Sequence, residues 1–197
     1  VYYGLATMEQ ILEQGLKKGN TVSLQSVFIS DYADMQYRGI VEGYYGYPYS
    51  YAVKKDLMNF FKRYKMNTYI YGAKSDPFHS GYWRDAYPEN ITTLQEKNGW
   101  LSQDMIKDLS LLSLQTKVNF IWAIHPNSGN SVDFSSVEST NQAVKDVMNK
   151  FEKMHKLGIR QFSVFLDDAG WDFDDVNNYR DFLTNLQCRL QNKYNLN

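Results

Sequence analysis

The sequence predicts an α/β fold, the first half of a (β/α)8 TIM barrel preceded by the tail of a small α/β domain. Two observations carry this prediction. Apolar strand segments alternate with amphipathic helices four times from Tyr37 onward, which is the pattern of a parallel sheet. The loops after the strands are long and polar, whereas the turns after the helices, such as Met66-Asn67, are short. Barrel enzymes elaborate the loops at the carboxyl ends of their strands, so we favour a barrel over an open doubly wound sheet.

Residues 1–36 are interpreted as the C-terminal part of a small N-terminal α/β domain. Thr7 and Gln10 have the spacing of a capping box, which predicts the start of a helix. Apolar residues then recur at helical spacing to about Lys18, where a Gly-Asn pair would end the helix. The segment from Val22 to Ile29 is predicted to be a strand.

Four strands are predicted in residues 37–197, which we interpret as the N-terminal half of the barrel domain. In chain order, these strands are Tyr37 to Glu42, Thr68 to Tyr71, Asn119 to Ile124 and Gln161 to Leu166. They are near-continuous apolar runs, as expected for parallel strands that are covered on both faces. No Gly-rich phosphate loop follows the first strand, which argues against a dinucleotide-binding doubly wound sheet.

A helix is predicted after each strand, because apolar residues recur there at helical spacing. The predicted helices are about Tyr51 to Lys65, Gln103 to Leu114, Thr140 to Lys156 and Asp175 to Tyr194. In the first helix, the residues expected to face the sheet are Val53, Leu57, Phe60, Phe61 and Tyr64. Such an apolar stripe is what a helix buries against its neighbours.

The composition excludes several classes of partner. Lys and Arg together number 21 against 22 Asp and Glu, so the chain lacks the basic excess typical of proteins that bind nucleic acids or anionic membranes. No apolar run has the length of a membrane-spanning helix, and no targeting signal is visible. Cys188 is the only cysteine and cannot form an intramolecular disulfide. The composition does not determine the cellular compartment, and we favour an extracytoplasmic or secreted bacterial location.

Two adjacent acids, Asp167 and Asp168, close the fourth predicted strand and are the sharpest chemical feature of the sequence. Neighbouring carboxylates resist simultaneous ionisation, so the pKa of one rises and that group can act as an acid near neutral pH. The other stays charged and can stabilise a developing positive charge, and glycosidic cleavage requires such a pair. The alternative is that one acid caps the following helix.

Other candidate residues follow the first three predicted strands. Gly43 lies in a Gly- and Tyr-rich loop after the first strand, and Lys74 and Asp76 follow the second. Glycines there either serve a turn or let a ligand approach the backbone, and Lys74 is either a solvated loop residue or a ligand-binding group. His79 and His125 lack a recognised metal-ligand spacing, so each is expected to be buried and hydrogen-bonded rather than bound to a metal.

Four segments of the chain, taken in order, resemble glycoside hydrolase family 84. They are Arg38 to Gly46, Met66 to His79, Phe120 to Pro126 and Leu157 to Asp168. That family contains bacterial O-GlcNAcase homologues and proteins described as hyaluronidases. The similarity extends from about Tyr37 to Trp171, and the residues before it resemble the tail of the small domain that precedes such barrels.

The resemblance implies a retaining β-N-acetylglucosaminidase that removes terminal β-linked N-acetylglucosamine (GlcNAc) from a glycan or glycoconjugate. The acetamido oxygen of the substrate would be the nucleophile and would form an oxazoline intermediate. By position, Asp167 would hold and polarise the acetamido N–H, and Asp168 would be the general acid and then the base. Gly43, through its carbonyl, and Lys74 would bind sugar hydroxyls. No metal or organic cofactor is expected.

Some positions depart from the family pattern and motivate alternatives. Ala73 and Ser75 flank Lys74 where Pro and Asp are common, and Ala169-Gly170 follow the paired acids where a bulky apolar residue is usual. One alternative is therefore a non-catalytic carbohydrate-binding barrel. Another is a hyaluronidase-type endo-N-acetylglucosaminidase, although a snug pocket for substrate-assisted attack suits a terminal sugar better. The remaining strands and pocket residues of the barrel are expected beyond Asn197.

Overall fold

The computed structural model describes residues 1–127, 132–166 and 176–194. The strands are β1 (Leu16–Lys18), β2 (Thr21–Ser23), β3 (Gly39–Glu42), β4 (Thr68–Tyr71), β5 (Asn119–Ile124) and β6 (Gln161–Val164). The helices are α1 (Tyr2–Gln14), α2 (Tyr51–Arg63), α3 (Thr93–Lys97), α4 (Gln103–Thr116), α5 (Val137–Lys156) and α6 (Val176–Tyr194). Within these ranges, no helix has the length and apolar character needed to cross a membrane.

Strands β3 to β6 form one parallel sheet in which the order in space is the order in the chain. Glu42 pairs with Tyr71, Tyr71 pairs with Trp122, and Ile124 pairs with Val164, so the carboxyl ends of the strands lie side by side. A doubly wound sheet reverses its strand order at a switch point, and the described strands show no such reversal. The prediction of four adjacent parallel strands is confirmed.

All four predicted strand–helix units are present, with described ends that differ from the predicted ones by at most three residues. Serine caps begin three of the helices: the hydroxyl groups of Ser50, Ser102 and Ser136 accept hydrogen bonds from backbone N–H groups in the first turn of α2, α4 and α5. The cap at Ser136 explains why α5 begins at Val137 rather than at the predicted Thr140. The short helix α3, which lies in the long loop after β4, was not predicted.

The core lies between the helices and one face of the sheet. Tyr69 and Tyr71 of β4 share this face with Phe120 and Trp122 of β5, because alternate residues of a strand point the same way. The helices contribute Met58, Phe61, Ile106, Leu109, Val144, Val147 and Phe151. The large aromatic side chains of the strands therefore fill the layer directly beneath the strand ends.

The buried face of α2 is only in part the predicted one: Phe61 is buried and Leu57 packs against the core, as expected. Val53, Phe60 and Tyr64 were expected in the core, but they are 40%, 50% and 52% exposed. The buried residues of α2 are Lys54, Met58 and Phe61. The predicted apolar stripe did not include Lys54, whereas the folded chain buries this lysine together with Met58 and Phe61.

Residues 1–36 also differ from the prediction. Helix α1 begins at Tyr2, and the hydroxyl of Thr7 donates to Tyr3 O at 3.0 Å instead of capping a helix. The end of the predicted helix is strand β1, which pairs antiparallel with β2. Gly19, with a φ of +61°, turns the chain between the two strands. Strand β2 ends at Ser23, so only the start of the strand predicted from Val22 to Ile29 is formed. The assignment of these residues to a separate small domain stays a prediction.

The face of the sheet away from the helices is only partly covered. Val41 pairs with Ile70, which pairs with Ile121, so the three side chains form an apolar row across the sheet. Val41 is 56% exposed, and the other two are half-buried. In a closed barrel such a row lies in the packed interior. The expectation that both faces of the strands are covered is therefore met on the helix side of the two central strands, β4 and β5.

Candidate functional site

Gly43 and Lys74 lie on touching loops at the carboxyl edge of the sheet. Gly43 directly follows β3, and Lys74 comes three residues after the end of β4. The backbone N–H of Lys74 donates to Tyr44 O at 3.4 Å, and its ammonium lies 4.1 Å from the centre of the Tyr45 ring. The edge of the sheet therefore brings together two of the four residues singled out from the sequence.

The other two, Asp167 and Asp168, lie outside the described residues. Just before them, Phe165 N donates a hydrogen bond to Ile124 O at 2.8 Å. This bond continues the pairing of β5 and β6 past Val164. The roles of the paired acids stay a proposal.

The glycines near this edge serve two different purposes. A Cβ atom on Gly43 would lie 3.1 Å from the Phe165 ring, and one on Gly72 would lie only 2.7 Å from it. The ring occupies the space in which side chains at these two positions would lie. Gly46, by contrast, has a φ of +102° and open space around it, so it serves a turn. Of the two uses expected from the sequence, the turn is found at Gly46, whereas the group that approaches Gly43 and Gly72 closely is the Phe165 ring. The approach of a ligand to Gly43 stays a prediction.

A buried ion pair lies under the loop that carries Gly43. Glu42 and Lys54 are both fully buried, and Lys54 Nζ donates to Glu42 Oε1 at 3.1 Å. Glu42 also accepts from the backbone N–H of Tyr49 at 2.7 Å and from the hydroxyl of Tyr69. Burial lowers the pKa of Lys54, and the Glu42 carboxylate opposes that shift.

Asp76 is the centre of a second buried network, under the loop that carries Lys74. Its Oδ2 accepts from the Tyr71 hydroxyl at 2.6 Å and from the Tyr87 hydroxyl at 2.9 Å, and its Oδ1 accepts from Phe78 N at 2.9 Å. Burial raises the pKa of Asp76, while these donors favour the carboxylate. Asp76, which follows Lys74 by two residues, therefore anchors that loop.

Both histidines are buried and hydrogen-bonded, as predicted. His79 Nδ1 donates to Ala123 O, and its ring stacks on Trp122 with the two centres 4.6 Å apart. His125 Nε2 donates to Gly72 O at 2.8 Å, which ties the end of β5 to the end of β4. Burial lowers the pKa of His79 well below its usual range, so this imidazole is neutral.

Lys150 reaches the same network from helix α5. Its ammonium donates to Asp85 O at 2.6 Å and lies 5.0 Å from the centre of the Tyr87 ring and 5.2 Å from that of Trp122. Burial lowers the pKa of Lys150 to about 7, and the negative charge of Asp76 opposes the shift. The loop after β4 is thus bound by Lys150 as well as by Asp76.

Sequence reasoning missed the buried charges Glu42, Lys54 and Lys150. The two lysines could have been predicted to be buried from their positions, because each lies at helical spacing from apolar residues that face the core. Lys54 precedes the buried Met58 by four residues, and Lys150 follows the buried Val147 by three. At such a position, either the helix rotates so that the lysine reaches solvent, or the lysine is buried and donates to protein acceptors. Lys54 and Lys150 are both buried and donate in this way.

We expect Lys150→Met to remove a pH dependence of stability. Between a pKa of about 7 in the folded protein and the usual 10.5, the unfolded chain binds a proton that the folded chain has released. The wild-type protein should therefore gain free energy of unfolding as pH rises through this window, with a slope approaching about 1 kcal/mol per pH unit. Urea denaturation at pH 6 and pH 9, in the protein that contains this chain, measures the gain in both proteins.

Lys153→Met is the matched control for this measurement. Lys153 lies one turn further along α5 and donates to Arg84 O at 2.9 Å, next to the acceptor of Lys150, but from an exposed position. The control should keep most of the pH dependence of the wild type, because burial is the main cause of the low pKa of Lys150 and the charge of Lys153 is a smaller one. Equal gains with pH in the wild type and in Lys150→Met would show that Lys150 stays protonated in the folded protein.

Comparisons with known proteins give a consistent result. The sequence model of a family described as beta-N-acetylglucosaminidase matches residues 38–195. Two curated relatives, the proteins named Protein O-GlcNAcase of Rattus norvegicus and of Mus musculus, are each 28% identical to the chain over 130 residues. That alignment covers 66% of this chain and 12% of each relative.

Solved structures show the same likeness. CpGH84D is 38% identical with a TM-score of 0.68, over 84% of this chain and 26% of that one. CpGH84B is 30% identical with a TM-score of 0.71, over 91% and 29%. A mutant of the O-GlcNAc hydrolase of Thermobaculum terrenum is 26% identical with a TM-score of 0.63, over 80% and 32%. The chain spans less than a third of each of these structures.

Proposed function

Because the chain belongs to the beta-N-acetylglucosaminidase family, glycoside hydrolase family 84, we propose that it carries the first half of a retaining β-N-acetylglucosaminidase. The observation that carries the proposal is the family match over residues 38–195, a range that includes all four strands of the parallel sheet. The substrate would be terminal β-linked GlcNAc on a glycan or glycoconjugate. The curated relatives, whose name is Protein O-GlcNAcase, support that substrate class.

The architecture proposed for the whole enzyme is a TIM barrel whose remaining strands lie beyond Asn197. A barrel of this class has eight strands, and the described residues supply four that pair in chain order. The apolar row through Val41 on the far face would pack against the other half of the barrel. We use the term complete enzyme for this chain together with the strands that close the barrel.

Four residues of this chain are proposed to act on the sugar. Gly43, through its carbonyl, and Lys74 would bind sugar hydroxyls, and their placement on touching loops at the carboxyl edge supports this role. Asp167 and Asp168 follow Leu166 directly in the sequence, and the resemblance to the family is what assigns them the acetamido group and the glycosidic oxygen. No step requires a metal or an organic cofactor.

In the first step, the acetamido oxygen of the substrate attacks the anomeric carbon while the glycosidic C–O bond breaks. Asp168 gives its proton to the departing oxygen, and Asp167 accepts a hydrogen bond from the acetamido N–H and stabilises the positive charge that develops on the forming oxazoline. In the second step, Asp168 takes a proton from water, and the resulting hydroxide opens the oxazoline from the opposite side. Two inversions at the anomeric carbon give net retention.

The test is hydrolysis of an aryl N-acetyl-β-glucosaminide, with the configuration of the first product followed by proton NMR. The complete enzyme should release the β-anomer first, and a thiazoline analogue of the intermediate should inhibit it. Release of the α-anomer first would overturn the substrate-assisted mechanism. Binding of GlcNAc without any hydrolysis would favour a non-catalytic carbohydrate-binding barrel instead.

The 197-residue chain alone should not hydrolyse this substrate. Edge strands β3 and β6 would present unpaired backbone groups, and the row through Val41 would lack its packing partner. Half of the sugar pocket would also be missing, and with it most of the binding energy of the transition state. A purified monomer of residues 1–197 that turned over the aryl substrate at the rate of the complete enzyme would contradict the half-barrel architecture.

A further inference from the structure

The Glu42–Lys54 ion pair closes the loop that carries Gly43. Glu42 immediately precedes Gly43, and its carboxylate accepts from Tyr49 N at 2.7 Å, at the far end of the loop. Lys54 Nζ donates both to that carboxylate and to the carbonyl of Tyr49. Glu42 therefore binds the backbone N–H of Tyr49, and Lys54 binds its carbonyl. Together they fix the distance between the two ends of the loop from Gly43 to Tyr49.

This closed loop also supports the neighbouring loop that carries Lys74. Tyr44 O accepts from Lys74 N at 3.4 Å, and Gly46 O accepts from the hydroxyl of Ser75. The Lys74 ammonium lies over the ring of Tyr45, at 4.1 Å from its centre. Any displacement of the first loop would therefore be passed to Lys74.

Stability alone does not account for an ion pair in this place. Both side chains are fully buried, and the desolvation of two charges offsets much of the energy that their attraction gains. A pair of apolar side chains of similar volume would fill the same space at no such cost, but it would bind neither the N–H nor the carbonyl of Tyr49. What the ion pair adds is a fixed geometry for the loop.

We propose that Glu42 and Lys54 are positioning residues that set the Gly43 carbonyl and the Lys74 ammonium at the spacing required by the sugar. The inference rests on the proposed function, because it assigns the two loops to the sugar pocket. Neither residue touches the substrate in this proposal. Their effect is transmitted through Tyr49 to the Gly43 loop, and from Tyr44 and Tyr45 to Lys74.

The decisive variant is the double substitution Glu42→Met with Lys54→Met in the complete enzyme, because a glutamine at position 42 could still accept from Tyr49 N. It removes both charges together, so it avoids the uncompensated buried charge that a single substitution would leave. If the pair positions the loops, the double variant should unfold near the wild-type temperature, yet its KM for the aryl N-acetyl-β-glucosaminide should rise by about tenfold or more. The sugar contacts are made in the ground state as well as in the transition state, so KM should change more than kcat.

Lys55→Met is the matched control. Lys55 is the next residue on α2 and pairs with Asp108 at 2.8 Å, but both of these side chains are partly exposed. Its removal should leave KM unchanged. Wild-type KM and kcat in a well-folded double variant would overturn the proposal, because the pair would then have a structural role alone.

Lys74→Met tests the route of the effect. If the ion pair acts through Lys74, the losses from the Glu42 and Lys54 double variant and from Lys74→Met should overlap, and the variant that combines all three substitutions should lose less than the product of the two separate fold-changes. Losses that multiply in full would contradict transmission through Lys74. The comparison uses kcat/KM of the same aryl substrate in all four proteins.

Amide hydrogen exchange in the wild-type protein tests the closed loop without any substitution. The N–H of Tyr49 should exchange markedly more slowly than the exposed amides of the same loop, because it is bound to Glu42. Fast exchange at Tyr49 would overturn the positioning role even if no variant folded. Slow exchange in a protein that fails to hydrolyse the aryl substrate would instead count against the proposed function and leave the closed loop supported.

Discussion

Asp168→Asn in the complete enzyme should nearly abolish the cleavage of substrates with poor leaving groups. Asn cannot give a proton to the departing oxygen, and general acid catalysis contributes about a hundredfold to ten-thousandfold to such reactions. An activated aryl leaving group departs without that proton, so kcat/KM for a dinitrophenyl GlcNAc substrate should fall far less. Measuring kcat/KM for a GlcNAc disaccharide and for the dinitrophenyl substrate gives the two ratios.

A second test of Asp168 as the acid and base is the turnover number, kcat, of Asp168→Asn. Because Asp168 would also activate water, kcat for the dinitrophenyl substrate should fall even where kcat/KM is preserved, since the oxazoline would then be opened slowly. Asp181→Asn, on the exposed side of α6, is the control and should leave both constants unchanged. Equal losses of kcat/KM on both substrates would reject Asp168 as the acid.

The strands and helices of residues 37–194 could be predicted from the sequence because short-range patterns of apolar and capping residues determine them. Strand β4 is found at the predicted residues, Thr68–Tyr71, since it is an apolar run bounded by turns. Ser50 and Ser102 cap the helices that follow, so the helix starts were accurate. The positions of Gly43 and Lys74 at one edge then followed from the parallel order of the strands.

The features that prediction missed depend on contacts between distant residues. Lys54 is buried because Glu42, twelve residues earlier, supplies its counterion, and Lys150 is buried because it reaches Asp85 O, 65 residues earlier. A prediction from the spacing of apolar residues leaves lysines out of the core, so it missed Lys54 and placed Phe60 there instead. The hairpin of β1 and β2 was missed because the helical spacing of its apolar residues continues through Leu16.

Asp167→Ala should damage the cleavage of both substrate types alike. The proposed partner of Asp167 is the acetamido group, which becomes positively charged as the oxazoline forms, whatever the leaving group is. Removal of one such preorganised electrostatic contact commonly costs about a hundredfold to a thousandfold in kcat. We therefore expect a similar fall in kcat/KM for the GlcNAc disaccharide and for the dinitrophenyl substrate, in contrast to Asp168→Asn.

Asp167→Asn and a thiazoline inhibitor separate this role from a merely structural one. Asn keeps an oxygen that can accept from the acetamido N–H but carries no charge, so its loss should be smaller than that of Ala and still independent of the leaving group. The thiazoline, which resembles the oxazoline, should bind the wild-type enzyme tightly and Asp167→Ala poorly. If Asp167→Ala folded, bound the thiazoline as the wild type does and kept its rate on the dinitrophenyl substrate, Asp167 would have no part in stabilising the oxazoline, and the retaining substrate-assisted mechanism would need another carboxylate.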